Sequence, residues 1–229
     1  MSHTVHPYGF RISIIRDWKN RWFDLKNYRD YLYEDTLLRG WLKKKLREFY
    51  VGSFELERSP GTMHIIVKTS RPGLLIGRGG GGSTRLREEI ILYVKRIHRG
   101  TAKIPNVKLT IEEIKNPEAD AYIIAYNVAQ ALEKRTSFRR VLKQATEKAA
   151  NNKEVKGIKI SLSGRLDGSE MARHEWLRKG TIPLQNLRAD IDFVRERAHL
   201  PYGDIGIKVW VYKGEIFDKK AESKGGSAA

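Results

Sequence analysis

"IGRGGGGSTRL", residues 76–86, sets four consecutive glycines between an apolar run and a charged one. Glycine is what a chain uses where its backbone must come close to a phosphate and present N–H groups to it. Three phosphate-binding readings compete here. The P-loop pattern G-x-x-x-x-G-K-[ST] is nearly met from Gly77 to Thr84, but Ser83 stands where the lysine that reaches the outer phosphates is needed. The dinucleotide pattern G-x-G-x-x-G is met by Gly77, Gly79 and Gly82. It also calls for an acidic residue about twenty positions on, at the end of a second parallel strand; that region, Arg96 to Lys103, is basic and loop-like. The third pattern, I-G-x-x-G, is met by Ile76-Gly77-Arg78-Gly79-Gly80. This is the loop that joins two helices in a KH domain and clamps the backbone of about four nucleotides. A plain turn is the bland alternative, and it does not call for four glycines beside an arginine.

The surroundings favour the third reading. Upstream, Phe54 to Arg58 alternates and Met63 to Val67 is apolar and branched, with the turn signal Ser59-Pro60-Gly61-Thr62 between them. Leu74-Leu75-Ile76 either continues the extended chain or forms the last turn of a short helix into the loop. Downstream, Ser83 or Thr84 opens a helix to about Arg96, with Leu86, Ile90, Ile91 and Val94 inside, and Lys108 to Ile111 reads as a third strand. On this reading Gly81-Gly82 lengthens a flexible loop ahead of the helix. Residues 24–48 read as a helix with Leu25, Tyr28, Leu32, Leu38, Trp41 and Leu42 inward. It ends in Lys43-Lys44-Lys45 and Arg47, more cations than a helix C-terminus needs.

Residues 1–22 read as an arm in which Arg11, Arg16, Lys19 and Arg21 alternate with Trp18 and Trp22. Docked aromatics are one reading; rings for bases and cations for phosphates are the other. A second unit starts near Asn116-Pro117. Residues 118–151 read as one long helix carrying Lys134, Arg135, Arg139, Arg140, Lys143 and Lys148 on its wet side. Gly157–Leu162, Ala189–Val194 and Ile205–Tyr212 alternate as strands of an antiparallel sheet. Arg165, Arg173, Arg178 and Arg188 fall in what read as loops. Arg165, between Gly164 and Gly168, suits either a phosphate or an internal pair with Asp167 or Glu170. The fold class is α+β in two domains, the second a long helix packed on an antiparallel sheet.

Composition points the same way. Lys plus Arg number 44 against 27 Asp plus Glu, for a net charge of +17 and a pI near 10.0. Folding does not require that excess, and a polyanionic partner explains it. No stretch approaches the roughly 20 apolar residues of a membrane span. Cysteine is absent, which excludes thiolate metal sites and cysteine nucleophiles. The 6 histidines are scattered from His3 to His199. His174-Glu175 begins a zinc motif that Arg178 fails to complete. No enzymatic constellation, cofactor or small-molecule substrate is expected.

Several long motifs resemble the S-three family of bacterial small-subunit ribosomal proteins. "RPGLLIGRGG" is similar to its KH loop and "VHPYGFRISIIRDWKNRWF" to its N-terminal pattern. "FRRVLKQATEKA" is similar to its basic helix, and "GIKISLSGRLDGSEMARHEWLRKGTIPLQNLRADIDF" and "YGDIGIKVWVYKGEI" to its C-terminal domain. The resemblance spans residues 5 to 217. It implies a type II KH domain (23–116) followed by a C-terminal α+β domain (117–217), after the arm (1–22) and before a tail (218–229) whose charged, then Gly/Ser/Ala-rich composition reads as disordered. It further implies a cytoplasmic structural protein in the head of the small subunit, bound to ribosomal RNA beside the proteins S-ten and S-fourteen. Its basic helix would meet messenger RNA at the mouth of the messenger channel and help to unwind it; the matching residues are Arg139, Arg140 and Lys143. Gly77, Arg78, Gly79 and Gly80 would form the KH clamp. Arg11, Lys19, Arg21, Trp22, Lys43, Lys44, Lys45, Arg165 and Arg178 are the further candidates for ribosomal RNA.

Overall fold

The computed structural model describes residues 5–98 and 105–217; His3, Lys103 and the tail 218–229 lie outside them. The chain opens with a single helical turn, α1 (Pro7–Phe10), and a two-residue strand, β1 (Asn20–Arg21). The first core follows as α2 (Tyr28–Lys45), β2 (Val51–Ser59), β3 (Thr62–Thr69), α3 (Pro72–Ile76), α4 (Gly81–Ile97) and β4 (Asn106–Glu113). Pro60-Gly61 closes β2 onto β3 as an antiparallel hairpin, with Gly61 at φ 73°. The parallel pair β3–β4 needs a crossover, which α3 and α4 provide. Leu74-Leu75-Ile76 is therefore the end of a short helix, one of the two readings open from the sequence.

Alternation in β2 and β3 sends Leu56, Met63, Ile65 and Val67 to one face, where Leu38, Leu42 and Leu46 of α2 and Ile90 and Val94 of α4 cover them. The opposite face is charged: Lys68 bridges Glu55 (2.8 Å) and Glu112 (3.6 Å). The expected stripe of α2 is right only in its second half. The helix starts at Tyr28, and Leu25, Tyr28 and Leu32 are exposed. The buried positions of its first half are acids, Glu34 and Asp35. Arg58, on the inner face of β2, donates from Nε to Asp35 Oδ1 (2.8 Å) and from a terminal nitrogen to Glu34 Oε2 (2.9 Å). Asp35 also accepts from the Trp22 indole (2.7 Å) and the Asn20 amide (3.1 Å), so the same buried carboxylate fastens the arm. Burial pushes the Asp35 carboxyl up, against the pull of Arg58.

The second core holds α5 (Ala121–Glu133), α6 (Phe138–Ala150), β5 (Gly157–Gly164), β6 (Arg173–Gly180), β7 (Ala189–Leu200) and β8 (Gly203–Glu215). The sheet order is β6-β5-β8-β7, antiparallel throughout. Ile158, Ile160, Leu162, Ile207, Val209 and Val211 face the two helices. The long helix expected over 118–151 is thus two helices. Arg135 takes φ 60°, its N–H bonds the Leu132 carbonyl (2.8 Å), and the Thr136 N–H reaches back to Ala131 (3.1 Å). That is a Schellman stop with arginine in the position glycine usually holds. β6 is a strand where the sequence predicts loop.

Two straps join the cores. Arg47 pairs with Glu133 (2.7 Å) and Lys43 with Glu196 (3.0 Å), while Tyr50 meets Tyr126 edge-on. The arm is the other strap. Its first half docks on the second sheet, where the His6 ring stands against Phe193 and Arg16 pairs with Asp190. Its second half joins the first sheet: β1 pairs parallel to β2, and the Leu56 N–H donates to the Lys19 carbonyl (2.9 Å).

The buried acids give a direct test. Arg58→Met leaves Glu34 and Asp35 without their shared guanidinium and should lower stability by about 3–5 kcal/mol in urea unfolding. Replacing all three by apolar residues of similar volume should recover most of that loss. An unchanged midpoint for Arg58→Met would contradict the assignment.

Candidate nucleic-acid interface

The glycine loop runs from the end of α3 to the start of α4. Gly77 has φ 67° and ψ −177°, a conformation that side chains rarely adopt. Gly79 (φ 61°) and Gly80 (φ 80°) are also left-handed, with Arg78 exposed between the turns. Gly81 is different, at φ −61° and ψ −32°. It and Gly82 are the first turn of α4, so they do not lengthen a loose loop as the sequence suggested. Gly82 is there for contact. A Cβ on it would lie 2.6 Å from the Leu75 carbonyl oxygen and 3.0 Å from that of Ile76. The start of α4 is therefore pressed against the end of α3. The Ser83 hydroxyl donates to the Gly80 carbonyl (2.8 Å), and Thr84 adds a second bond there (3.2 Å). The loop is a built turn that leaves Arg78 exposed, with the Gly81 N–H already bonded to the Arg78 carbonyl. Beside it runs a groove of about 320 Å³ between Leu46 and Phe49 on one side and Leu74, Leu75 and Gly82 on the other. Lys45 and Arg85 stand on its rim, both within reach of Glu89 (3.2 and 3.6 Å).

A second cationic site lies on α6. Phe138, Val141, Leu142 and Ala149 face the core, which turns Arg139, Arg140 and Lys143 outward. The stop at Arg135 is what brings Arg139 and Arg140 into a first turn. That turn holds no acid. Cations are disfavoured at a helix N-terminus, by about 0.3–1 kcal/mol each. Among the described residues none of the three has an ion pair.

The remaining candidates divide. Arg11 is corrected to a structural role. It is 1% exposed and donates to the Pro7 carbonyl within the arm (2.9 Å) and to the carbonyls of Leu184 (3.0 Å) and Asn186 (2.7 Å), which hold the arm to the second domain. Arg21 meets Asp17, Glu55 and Glu57. Trp22 is half-buried against Tyr28 and Tyr31 with its N–H on Asp35. Lys19 keeps much surface in water, yet its ammonium lies over the Tyr8 ring (5.0 Å) and desolvation pulls its pKa down. Lys43 and Lys45 are taken by Glu196 and Glu89, while Lys44 is exposed and has no ion pair among the described residues. Arg165 bonds the carbonyls of Ser169 (2.9 Å) and Tyr202 (3.4 Å), neither of the acids the sequence offered. Arg178 is exposed on β6 without an ion pair among the described residues.

Among the described residues no catalytic constellation assembles. His174 meets Ser161 (2.7 Å) on the sheet surface, with no acid on its other nitrogen. Among the described residues no group of three potential ligands could hold a metal, and no helix is long and apolar enough to cross a membrane.

Comparison with known proteins fits this geometry. Residues 37–119 match the family model for the KH domain, and residues 128–211 match that for the ribosomal protein S3 C-terminal domain. The small ribosomal subunit protein uS3 of Lawsonia intracellularis is 44% identical over 222 residues, 97% of this chain and 100% of that protein. Its counterpart in Caldicellulosiruptor saccharolyticus is 45% identical over 229 residues, 99% of each chain. That of Streptococcus mutans is 41% identical over 227 residues, 99% of this chain and 100% of the relative.

The glycine geometry predicts opposite signs at adjacent positions. Gly81→Ala meets no atom within 4 Å and should raise stability by about 0.4–1 kcal/mol in thermal unfolding. Gly82→Ala collides with two carbonyls and should lower it. Equal effects at both would contradict the close approach of α3 and α4.

Proposed function

The chain belongs to the ribosomal protein S3 family and is a structural, non-enzymatic, RNA-binding component of the small ribosomal subunit; on that premise we propose that it positions both ribosomal and messenger RNA. The glycine loop grips an RNA backbone through Arg78, with the loop's left-handed turns letting the chain come close. Arg139, Arg140 and Lys143 line the mouth of the messenger channel in the subunit head. There they hold the phosphates of incoming messenger, so that a paired segment is pulled open as it enters.

One observation carries the second assignment. Two arginines occupy a helix first turn, where the helix field opposes them and no acid relieves them. Such a placement costs folding energy and gains only when an external anion arrives. Lys44 and Arg178 contact ribosomal RNA, and the proteins S-ten and S-fourteen are the neighbours that the family resemblance implies. The protein works in the cytoplasm as part of the assembled subunit.

Arg139→Ala with Arg140→Ala and Lys143→Ala removes three phosphate contacts and no core residue. The variant should assemble into small subunits at the normal level, seen by sedimentation of cell lysate. Translation through a stable messenger hairpin should slow severalfold, while an unstructured message is read at the usual rate. Unchanged passage through hairpins would refute the channel assignment; absence of the wild-type chain from small-subunit fractions would refute the whole reading.

A further inference from the structure

The second sheet has two faces, and α5 and α6 cover only one. The other face is set by register. One cross-strand row carries Arg178, Lys159 and Trp210; the next carries Trp176, Ser161, Lys208 and Arg195. The arm covers the end of this face around Phe193, which is 6% exposed against His6. The part toward β6 is open: Trp176 is 53% exposed, and Arg178, Arg195 and Lys208 are exposed too.

Three features of this open part belong together. First, no residue on this face in the rows from Lys159 to Ser163 is a carboxylate. Second, Lys159, Arg178, Arg195 and Lys208 make no ion pair among the described residues. A sheet meant only for water would mix charges, as the outer face of the first sheet does with Lys68, Glu55 and Glu112. Third, the rings are held in place. The Lys159 ammonium lies 4.8 Å from the Trp176 ring and 5.3 Å from that of Trp210, a cation between two indoles. The exposed indole is thereby kept in position and not left to swing.

We propose that this face is a stacking platform for unpaired RNA: a base lies on Trp176, and Arg178, Lys208 and Arg195 take the flanking phosphates. Aromatic rings on a flat sheet among unneutralised cations are what single-stranded RNA needs, since each base has a stacking face and each linkage a charge. A protein partner would meet four cations with no acid among them, so charge complementarity selects a polyanion. A duplex keeps its bases stacked on each other and offers none to the indole. The proposal rests on the RNA-binding reading above and adds a second binding surface, distinct from the KH loop and from α6.

The test uses the full chain and a labelled single-stranded oligouridylate. A background variant, Arg78→Asp with Arg139→Ala, Arg140→Ala and Lys143→Ala, removes the KH loop and α6 as phosphate sites and leaves the sheet as reporter. In that background we expect residual binding that Trp176→Ala weakens about five- to hundredfold, with Trp176→Phe recovering most of it. Arg178→Ala with Lys208→Ala should lower the slope of log affinity against log salt by about one to one and a half. A paired duplex of the same length should bind without regard to Trp176. Loss of all binding in this fourfold background, or indifference to Trp176→Ala, overturns the platform while wild-type binding leaves the RNA-binding reading standing. Failure of the wild-type chain to bind at all overturns both. Unchanged oligonucleotide binding by Trp176→Ala, together with its loss from reconstituted subunits, would give the face to a neighbouring protein and also overturn the proposal.

Discussion

Where the carboxylates go is the constraint on which the rest of this structure depends. There are 27 of them against 44 lysines and arginines, and the chain places several of them at joints. Glu34 and Asp35 are buried under Arg58, where they fix α2 on the first sheet and hold the arm. Glu133 and Glu196 fasten Arg47 and Lys43 across the two domains. Asp190 receives Arg16 from the arm, and Asp120 caps α5 through the N–H groups of Tyr122 and Ile123. Burial and the neighbouring Asp192 push the Asp120 carboxyl up. Acids used this way neutralise the cations that build the fold. None of these acids pairs with Arg78, with Arg139, Arg140 and Lys143 of α6, or with the cations of the open sheet face, and those are the cations proposed to meet a polyanion. Assembly and binding therefore draw on two separate sets of arginines and lysines, which sequence composition alone does not separate.

The same division explains the rigidity of the sites. A loop of four glycines reads as mobile, yet Gly82 is clamped beneath two carbonyls and Ser83 ties back to Gly80. Binding then orders little backbone, and less of the affinity is lost to entropy. The arm serves the whole molecule in a similar way. By pairing with β2 at one end and lying on the second sheet at the other, it couples two cores that the linker alone would leave free to swing. With the proposed RNA surfaces at the glycine loop, on α6 and on the open sheet face carried by one coupled body, a long RNA would engage them at fixed separation.

Much of this was legible in the sequence, and the gaps have physical causes. The hairpin through Pro60-Gly61, the glycine loop between helices and the alternating strands β5, β7 and β8 follow from turn chemistry and periodicity. The break at Arg135 was hidden because a stop of this kind usually shows itself by glycine, and here an arginine holds the left-handed turn. β6 was hidden because it is an edge strand exposed on both faces, so no apolar alternation marks it. The first half of α2 misled because its inward positions are acids, and hydrophobic periodicity is blind to a buried salt bridge. Arg11 misled for the converse reason: a basic residue in an arm reads as exposed, whereas this one ends on three carbonyls. The stacking face has no motif at all. It exists only once strand register brings Lys159, Trp176 and Trp210 together.

The central claim is that cations left without internal partners, and not the total charge, are what hold RNA. The salt dependence of affinity measures that directly, since its slope counts the phosphates neutralised. Titration of the full chain with single-stranded RNA should give a steep linear fall of log affinity with log salt. Removing the free cations Arg78, Arg139, Arg140 and Lys143 together should flatten that slope markedly. Removing a like number of paired ones, Arg21, Lys43, Lys45 and Lys68, should leave it nearly unchanged. Equal flattening by both sets would show that RNA responds to net charge alone, and would contradict the account.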